Sequence, residues 1–181
     1  MKRQPLDRPK MKLAFVPFAR RSPGLIAQLL QSSYAHLIEE LPNQKAEELV
    51  RAWHEYDADV YAEPDTVGAC GFFSLLNGEV VGLGSWNPID WPRVAVIGHN
   101  CVLPQHQGRG YGRRQIEELL RRFHDAGFQK AVVCTDEHPF FEPAQRMYLS
   151  CDFKESRRHA GELLPQYAMI EYERRVRGQD V

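Results

Sequence analysis

The chain has 181 residues, 43% hydrophobic and 26% charged, with a formal net charge of -1. That length and composition suit one globular domain with its own core, and the near-zero charge excludes a global pull toward nucleic acid or an anionic membrane. No window approaches the roughly 20 apolar residues of a membrane span. The basic opening MKRQPLDRPKMK leads into no apolar stretch of signal-peptide length, so residues 1–11 read as a partly loose arm and the expected location is cytoplasmic. Cys70, Cys101, Cys134 and Cys151 show neither CxxC nor paired Cys/His spacing, so no metal site is expected. Cys101 and Cys134, inside apolar runs, read as small hydrophobes.

KLAFVPFAR (12–20) reads as a first strand, and SPG then opens a helical stretch with Leu25, Ile26, Leu29, Leu30, Leu37, Ile38 and Leu41 at helical spacing. LPN breaks it, and Asn43 is placed to cap a second helix carrying Ala46, Leu49, Val50, Trp53 and Tyr56 on one face. CGFFSLLNGEVVGLGSW (70–86) reads as a hairpin turning at Asn77-Gly78. RVAVIGHNCVL (93–103) is a long strand, followed by the glycine loop and by a helix with Ile116, Leu119, Leu120 and Phe123 along its apolar stripe. On its wet side Glu117 with Arg121 and Glu118 with Arg122 form i,i+4 pairs, and Gly127 stops it. KAVVCT (130–135) is a short buried strand, EPAQRMYLSCDF a helix with Pro143 in its first turn, and FKESRR and QYAMIEYERRV two closing strands. Residues 93–135 thus form a βαβ unit with an expected right-handed crossover.

PQHQGRGYGRR (104–114) sets Gly108, Gly110 and Gly112 at alternate positions just before a helix. A P-loop is excluded, because no glycine is followed by Lys and then Ser or Thr. A Rossmann fingerprint fails at its third glycine, where Arg113 stands. The remaining pattern, Q/R-x-x-G-x-G/A, begins at Gln107. A tight turn at a helix N-terminus aims several amides at one spot, the helix dipole adds positive charge, and glycines keep the spot clear for a pyrophosphate. Arg109, Arg113 and Arg114 add charge there or simply face solvent.

This loop resembles the acyl-CoA loop of the GNAT (general-control-type N-acetyltransferase) superfamily. The order of elements over residues 12–172 is also that of a GNAT chain, and AQRMYLSCDF resembles the family's later motif, with Ala144, Tyr148, Asp152 and Phe153 at its marked positions. The resemblance implies a mixed α/β domain over residues 1–181, with a central, mostly antiparallel sheet, a parallel splayed pair and flanking helices. Two positions depart from the family pattern. Phe141 stands where an Asn often contacts the cofactor, and Asp152 replaces a glycine.

The resemblance further implies an acetyl-CoA-dependent N-acetyltransferase without a metal, moving acetyl directly to an amine on a small molecule or protein. Cofactor contacts fall on Cys101, Val102 and Leu103, through their backbone amides, and on Gln107, Gly108, Arg109, Gly110, Tyr111, Gly112 and Arg113. Tyr148 takes the place of the general acid, while His99 is the foremost candidate base, ahead of Asp136, Glu137 and His138. His106 neighbours phosphate or solvent, and Cys101 as a covalent nucleophile is a lesser alternative. Tyr34, Trp53, Tyr56, Trp86 and Trp91 are candidates for the acceptor side, though aromatics at helical spacing more often fill a core. DEHPFFEP (136–143) reads as a solvated loop before the helix, or else as a pocket wall. Neither nucleic acid nor membrane is expected as a partner, and analogy alone suggests a homodimer through the last strand. The alternative is a non-catalytic acyl-CoA-binding module: Tyr148 argues against it, and Phe141 for it.

Overall fold

The computed structural model describes residues 12–161 and 163–176. The arm expected over residues 1–11 lies outside them. In chain order the elements are β1 (Leu13–Pro17), α1 (Leu25–Ser33), α2 (Ala35–Glu40), α3 (Asn43–Ala62), β2 (Gly71–Leu76), β3 (Glu79–Asp90), β4 (Val94–Val102), α4 (Tyr111–Ala126), β5 (Lys130–Asp136), α5 (Glu142–Ser150), β6 (Lys154–Ala160) and β7 (Ala168–Arg175). Single turns of 3-10 helix lie at Phe18–Arg20, Pro104–His106 and Pro139–Phe141.

The strands form one sheet in the order β1-β2-β3-β4-β5-β7-β6. Every neighbouring pair is antiparallel except β4 and β5. That pair follows from the βαβ connection through α4, since parallel neighbours need a crossover. One helical layer covers each face. Ile116, Leu119 and Phe123 of α4 and Tyr148 of α5 pack on Phe72, Ala95, Ile97 and Val133. On the other side Ile26 and Leu30 of α1 and Trp53 and Val60 of α3 pack on Phe73, Leu83 and Cys101. Among the described residues no helix is long and apolar enough to cross a membrane.

Several local expectations are met. Asn77 and Gly78 both take positive φ, 52° and 93°, as a two-residue hairpin turn demands. Gly127 ends α4 in the left-handed region at φ 86°. Asp152 also adopts φ 61°, so the turn after α5 survives without its usual glycine, a conformation short polar residues tolerate better than most.

Others are corrected. The first helical stretch breaks at Tyr34 into α1 and α2. Asn43 is already inside α3 and caps nothing, because Pro42 takes the capping position. The expected Glu117–Arg121 pair does not form. Arg121 instead bonds Glu118 and Asp125, leaving Glu117 to Arg113 at 2.9 Å. Cys134 is exposed, near Glu171 and Arg157, and Cys101 is buried.

The end of α1 is held from a distance. Gly24 precedes it with no side-chain cap of its own. Asp57 of α3, buried, accepts from the amides of Gly24 (2.7 Å), Ile26 (2.8 Å) and Ala27 (3.2 Å). A carboxylate on the positive end of a helix is favourable both through the dipole and through charge-assisted bonds. Asp57→Ala leaves three amides without their acceptor, so we expect a loss of about 3 kcal/mol or more in urea-unfolding stability. A loss under about 1 kcal/mol would show that water caps α1 equally well.

Candidate functional site

The site begins with a bulge. In the β3–β4 ladder Gly84 faces Asn100 and Trp86 faces Ile97, so Ser85 alone opposes both Gly98 and His99. The Ser85 hydroxyl takes over the missing ladder bonds, accepting from the His99 amide at 2.9 Å and donating to the His99 carbonyl at 3.4 Å. One extra residue inverts the alternation of side chains beyond it. Ala95 and Ile97 face α4 and α5, whereas Cys101 faces α1 and α3, and Val102 packs beside Tyr111 of α4.

The same point ends the parallel pairing. β4 and β5 pair only from Val94↔Lys130 to Ile97↔Val133. Beyond it β5 stays with β7 as far as Asp136↔Met169, while β4 continues along β3 to Val102. A gap therefore opens in the sheet. Leu103 donates to Val81 at 2.9 Å, so by alternation Cys101 also turns its amide to β3, and those of Asn100 and Val102 face the gap. This corrects the expected trio: the Cys101 and Leu103 amides belong to the ladder, and Asn100 joins Val102 on the open side.

A cavity of about 480 Å³ fills the gap between β4, the start of α4 and α5. At its outer end stand His106, Gln107, Gly108, Gly110, Tyr111, Gly112 and Arg113. Gly108 (φ 71°) and Gly110 (φ 80°) hold left-handed conformations, and a Cβ on either would meet nothing within 4 Å. Their freedom thus serves backbone shape and leaves open space beside the helix end. Gly112 differs: a Cβ there would press on Met147 Sδ at 2.9 Å, so this glycine lets α4 approach α5. Arg114 is the first residue to bond back within α4, to Gly110 O at 3.2 Å. The Gly112 and Arg113 amides ahead of it have no carbonyl four residues back inside the helix. Gln107 fastens the loop by donating to Val102 O at 2.9 Å. Arg113 lines the mouth but is paired with Glu117. Arg109 is exposed and is not among the lining residues.

The inner end is lined by Ser33, Tyr34, Asn100, Gln115, Phe140 and Phe141. Tyr34 packs against Phe140 at 5.5 Å and Phe141 at 6.2 Å between ring centres, with Trp53 behind it at 5.4 Å. The 140–141 aromatics are thus a cavity wall rather than part of a solvated loop. Tyr148 is buried just behind the lining. Burial pushes its phenol up to about 12, the Asn100 side chain beside it partly offsetting this and Cys151 adding to it. Burial also drives the Tyr34 phenol upward, with Cys101 and Tyr148 reinforcing it. Both phenols therefore hold their protons at neutral pH. The Cys101 thiol is raised by burial to about 11 and has little thiolate to offer as a nucleophile.

None of the expected bases, His99, Asp136, Glu137 and His138, is among the cavity's lining residues, whereas His106 is. His99 sits on the α3 side of β4 with its ring 5.1 Å from that of Tyr56, and burial pulls its pKa down to about 4. Asp136 is buried, with Oδ1 accepting from the His138 amide at 2.7 Å. His138 accepts from the Phe140 amide at Nδ1 (3.2 Å), so the proton of the neutral ring lies on Nε2, 3.0 Å from Glu40 of α2. Glu137 pairs with Arg158. Of the other aromatic candidates, Trp53 is core, Trp86 packs on Phe123, and Trp91 is exposed far from the gap. Sequence reasoning missed Gln115 and Ser33 and gave Asn100 no role of its own. The signal for Gln115 was a polar residue next to the apolar stripe of α4.

The family model described as the acetyltransferase (GNAT) family matches residues 30–153. No curated protein matches the chain. Solved structures share its fold at low identity. Ard1 from Thermoplasma volcanium superposes with a TM-score of 0.69 at 15% identity, over 92% of this chain and 99% of that one. Aminoglycoside 6′-N-acetyltransferase from Enterococcus faecium gives 0.68 at 14%, over 94% and 100%. An aminoglycoside 6′-N-acetyltransferase complexed with coenzyme A gives 0.65 at 16%, over 94% and 100%.

The burial of His99 has a pH signature. Its folded pKa, about 4, lies below the ordinary 6.5. Unfolded chains therefore take up a proton that folded ones refuse as pH falls through 6.5 toward 4, and stability is lost over that window. At pH 7 the contribution is complete, and its full size is up to about 3 kcal/mol. In urea unfolding at pH 7 and pH 4.5, His99→Gln should lose about 2 kcal/mol less than the parent between the two. Equal losses would show that His99 is not held neutral.

Proposed function

The chain belongs to the acetyltransferase (GNAT) family, and from that membership we propose that it is an acetyl-CoA-dependent acyltransferase that acetylates an amine by direct transfer. The observation that carries this reading is the glycine-opened end of α4 facing a 480 Å³ cavity in the β4–β5 gap. Space beside Gly108 and Gly110, next to the Gly112 and Arg113 amides, suits a diphosphate, and the gap beyond suits a narrow arm. Gln107, Gly108, Arg109, Gly110, Tyr111, Gly112 and Arg113 would hold the phosphate end, with the Asn100 and Val102 amides along the arm. Acetyl-CoA bound there supplies the activated acetyl thioester.

The residues then have distinct tasks. The two β4 amides face the place where charge grows on the carbonyl oxygen, and such fixed dipoles act strongly away from water. Tyr148 is the proton source for the departing sulfur, its phenol kept protonated by burial. No carboxylate lines the cavity among the described residues, and the one imidazole is His106 at the outer end. We therefore assign no side-chain base for the attack: the acceptor reacts as the neutral amine. The proton its nitrogen loses as the C–N bond replaces the C–S bond makes good the one Tyr148 gives to sulfur. The Tyr34, Phe140 and Phe141 wall favours an acceptor with an apolar or ring-bearing body. Aminoglycoside acetyltransferases of the same fold support a small-molecule amine.

Calorimetric titration with acetyl-CoA, CoA, ATP and NAD in parallel tests the reading. Binding of acetyl-CoA and CoA alone is expected, and preference for ATP or NAD overturns it. CoA binding without product across a broad amine panel would favour the non-catalytic module. With an active amine, Tyr148→Phe should lower kcat at least tenfold and leave CoA affinity near normal; unchanged kcat removes Tyr148 from the mechanism. For the parent, kcat/KM should rise about tenfold per pH unit up to the amine's own pKa. A plateau beginning near pH 6–7 would instead reveal a side-chain base.

A further inference from the structure

Gln115 is fully buried on the second turn of α4, where its neighbours Ile116 and Leu119 are core residues, and it borders the inner cavity. Its Nε2 donates to Ser74 Oγ at 2.9 Å and to Cys101 O at 3.1 Å. A carbonyl can only accept, so these partners fix which end of the amide is nitrogen. Gly82 makes room for the arrangement: a Cβ there would press on Cys101 O and come within 2.8 Å of Nε2. The other end of the amide is unserved. Oε1 is buried and has no hydrogen-bond partner among the described residues. A buried acceptor of this kind calls for a donor, and the cavity is where one can arrive.

We propose that Gln115 Oε1 accepts a hydrogen bond from an amide N–H of the pantetheine arm of the bound acyl-CoA, and so selects for that arm and fixes its depth. This rests on the acetyl-CoA reading given above. The arm carries two amide N–H groups between the diphosphate and the sulfur. Gln115 lies one turn beyond the glycine-opened end of α4, on the path between them. Because Nε2 is anchored in the sheet, the oxygen is held before the ligand arrives, and little freedom is lost on binding.

The test uses the full chain, calorimetry and three probes: CoA, and two CoA analogues in which one or the other arm amide N–H is replaced by an ester oxygen. The parent protein should bind one analogue about five- to tenfold more weakly than CoA, the worth of one such bond. Gln115→Leu should weaken CoA by a similar factor and abolish the difference between CoA and that analogue. Equal binding of CoA and both analogues by the parent, within twofold, overturns the proposal, and this comparison needs no variant to fold. Retention of the difference in Gln115→Leu overturns it as well. Absence of any CoA binding by the parent would overturn the acetyltransferase reading first and this inference with it.

Discussion

One residue of β3 faces two of β4, and the working part of the molecule follows from that mismatch. Ser85 opposite Gly98 and His99 lets β4 bend away from β5 at Ile97. Without the extra residue, Asn100 and Val102 would face α1 and α3, and Cys101 would face α4 and α5. The bulge thus decides which amides and side chains border the gap, and it removes His99 from it. Gly98 is suited to the turn: a Cβ there would come within 3.0 Å of Ser85 Oγ. The hydroxyl that closes the bulge and the glycine that admits it are one device.

A layer of buried polar contacts then keeps the gap in shape. Ser74, Gln115 and the Cys101 carbonyl tie β2, α4 and β4 together at the centre of the sheet. Gln107 ties the loop back to Val102, and Asp57 holds the end of α1, whose last turn carries Ser33 to the cavity. Each bond stabilises little in net terms, but a buried group left unpaired costs more than the bond gives. Such a network resists small shifts, which suits a site where fixed dipoles must already point at the reacting group.

The elements that carry their own local signal were legible in the sequence. The Asn77-Gly78 turn, the glycine loop and the α4 stripe are set by backbone freedom and helical period, both readable within a dozen residues. The parallel pair followed from the βαβ order. The site was legible only as far as its loop. The bulge depends on the register of two strands, and its local hint was one glycine in a β-branched run. His99 attracted attention as a polar residue in that run, but the inverted alternation sent it to the wrong side. Gln115 and Asp57 find their partners 41 and 33 residues away, so no local pattern announces those partners. The Glu117–Arg121 pair failed because spacing allowed each charge more than one partner: Arg121 bonds Glu118 and Asp125, and Glu117 bonds Arg113.

Charge is distributed unevenly along the cavity. Of the arginines near its mouth, Arg113 and Arg146 are bonded to Glu117 (2.9 Å) and Glu142 (2.8 Å). Their positive charge is largely offset, and exposed pairs of this kind are screened by salt. For the proposed acyl-CoA, the attraction for phosphate would then come mainly from the oriented amides at the start of α4. Farther in, the lining turns neutral: aromatic rings, the protonated Tyr34 phenol and amide oxygens, with no carboxylate among the described residues. On the proposed reading a polyanion would be favoured at the outer end only, and a charged ammonium would find no counter-ion at the inner end. That gradient orients a ligand having phosphates at one end and a neutral arm at the other. On the same reading an ammonium would have to become the neutral amine before it attacks the acyl group.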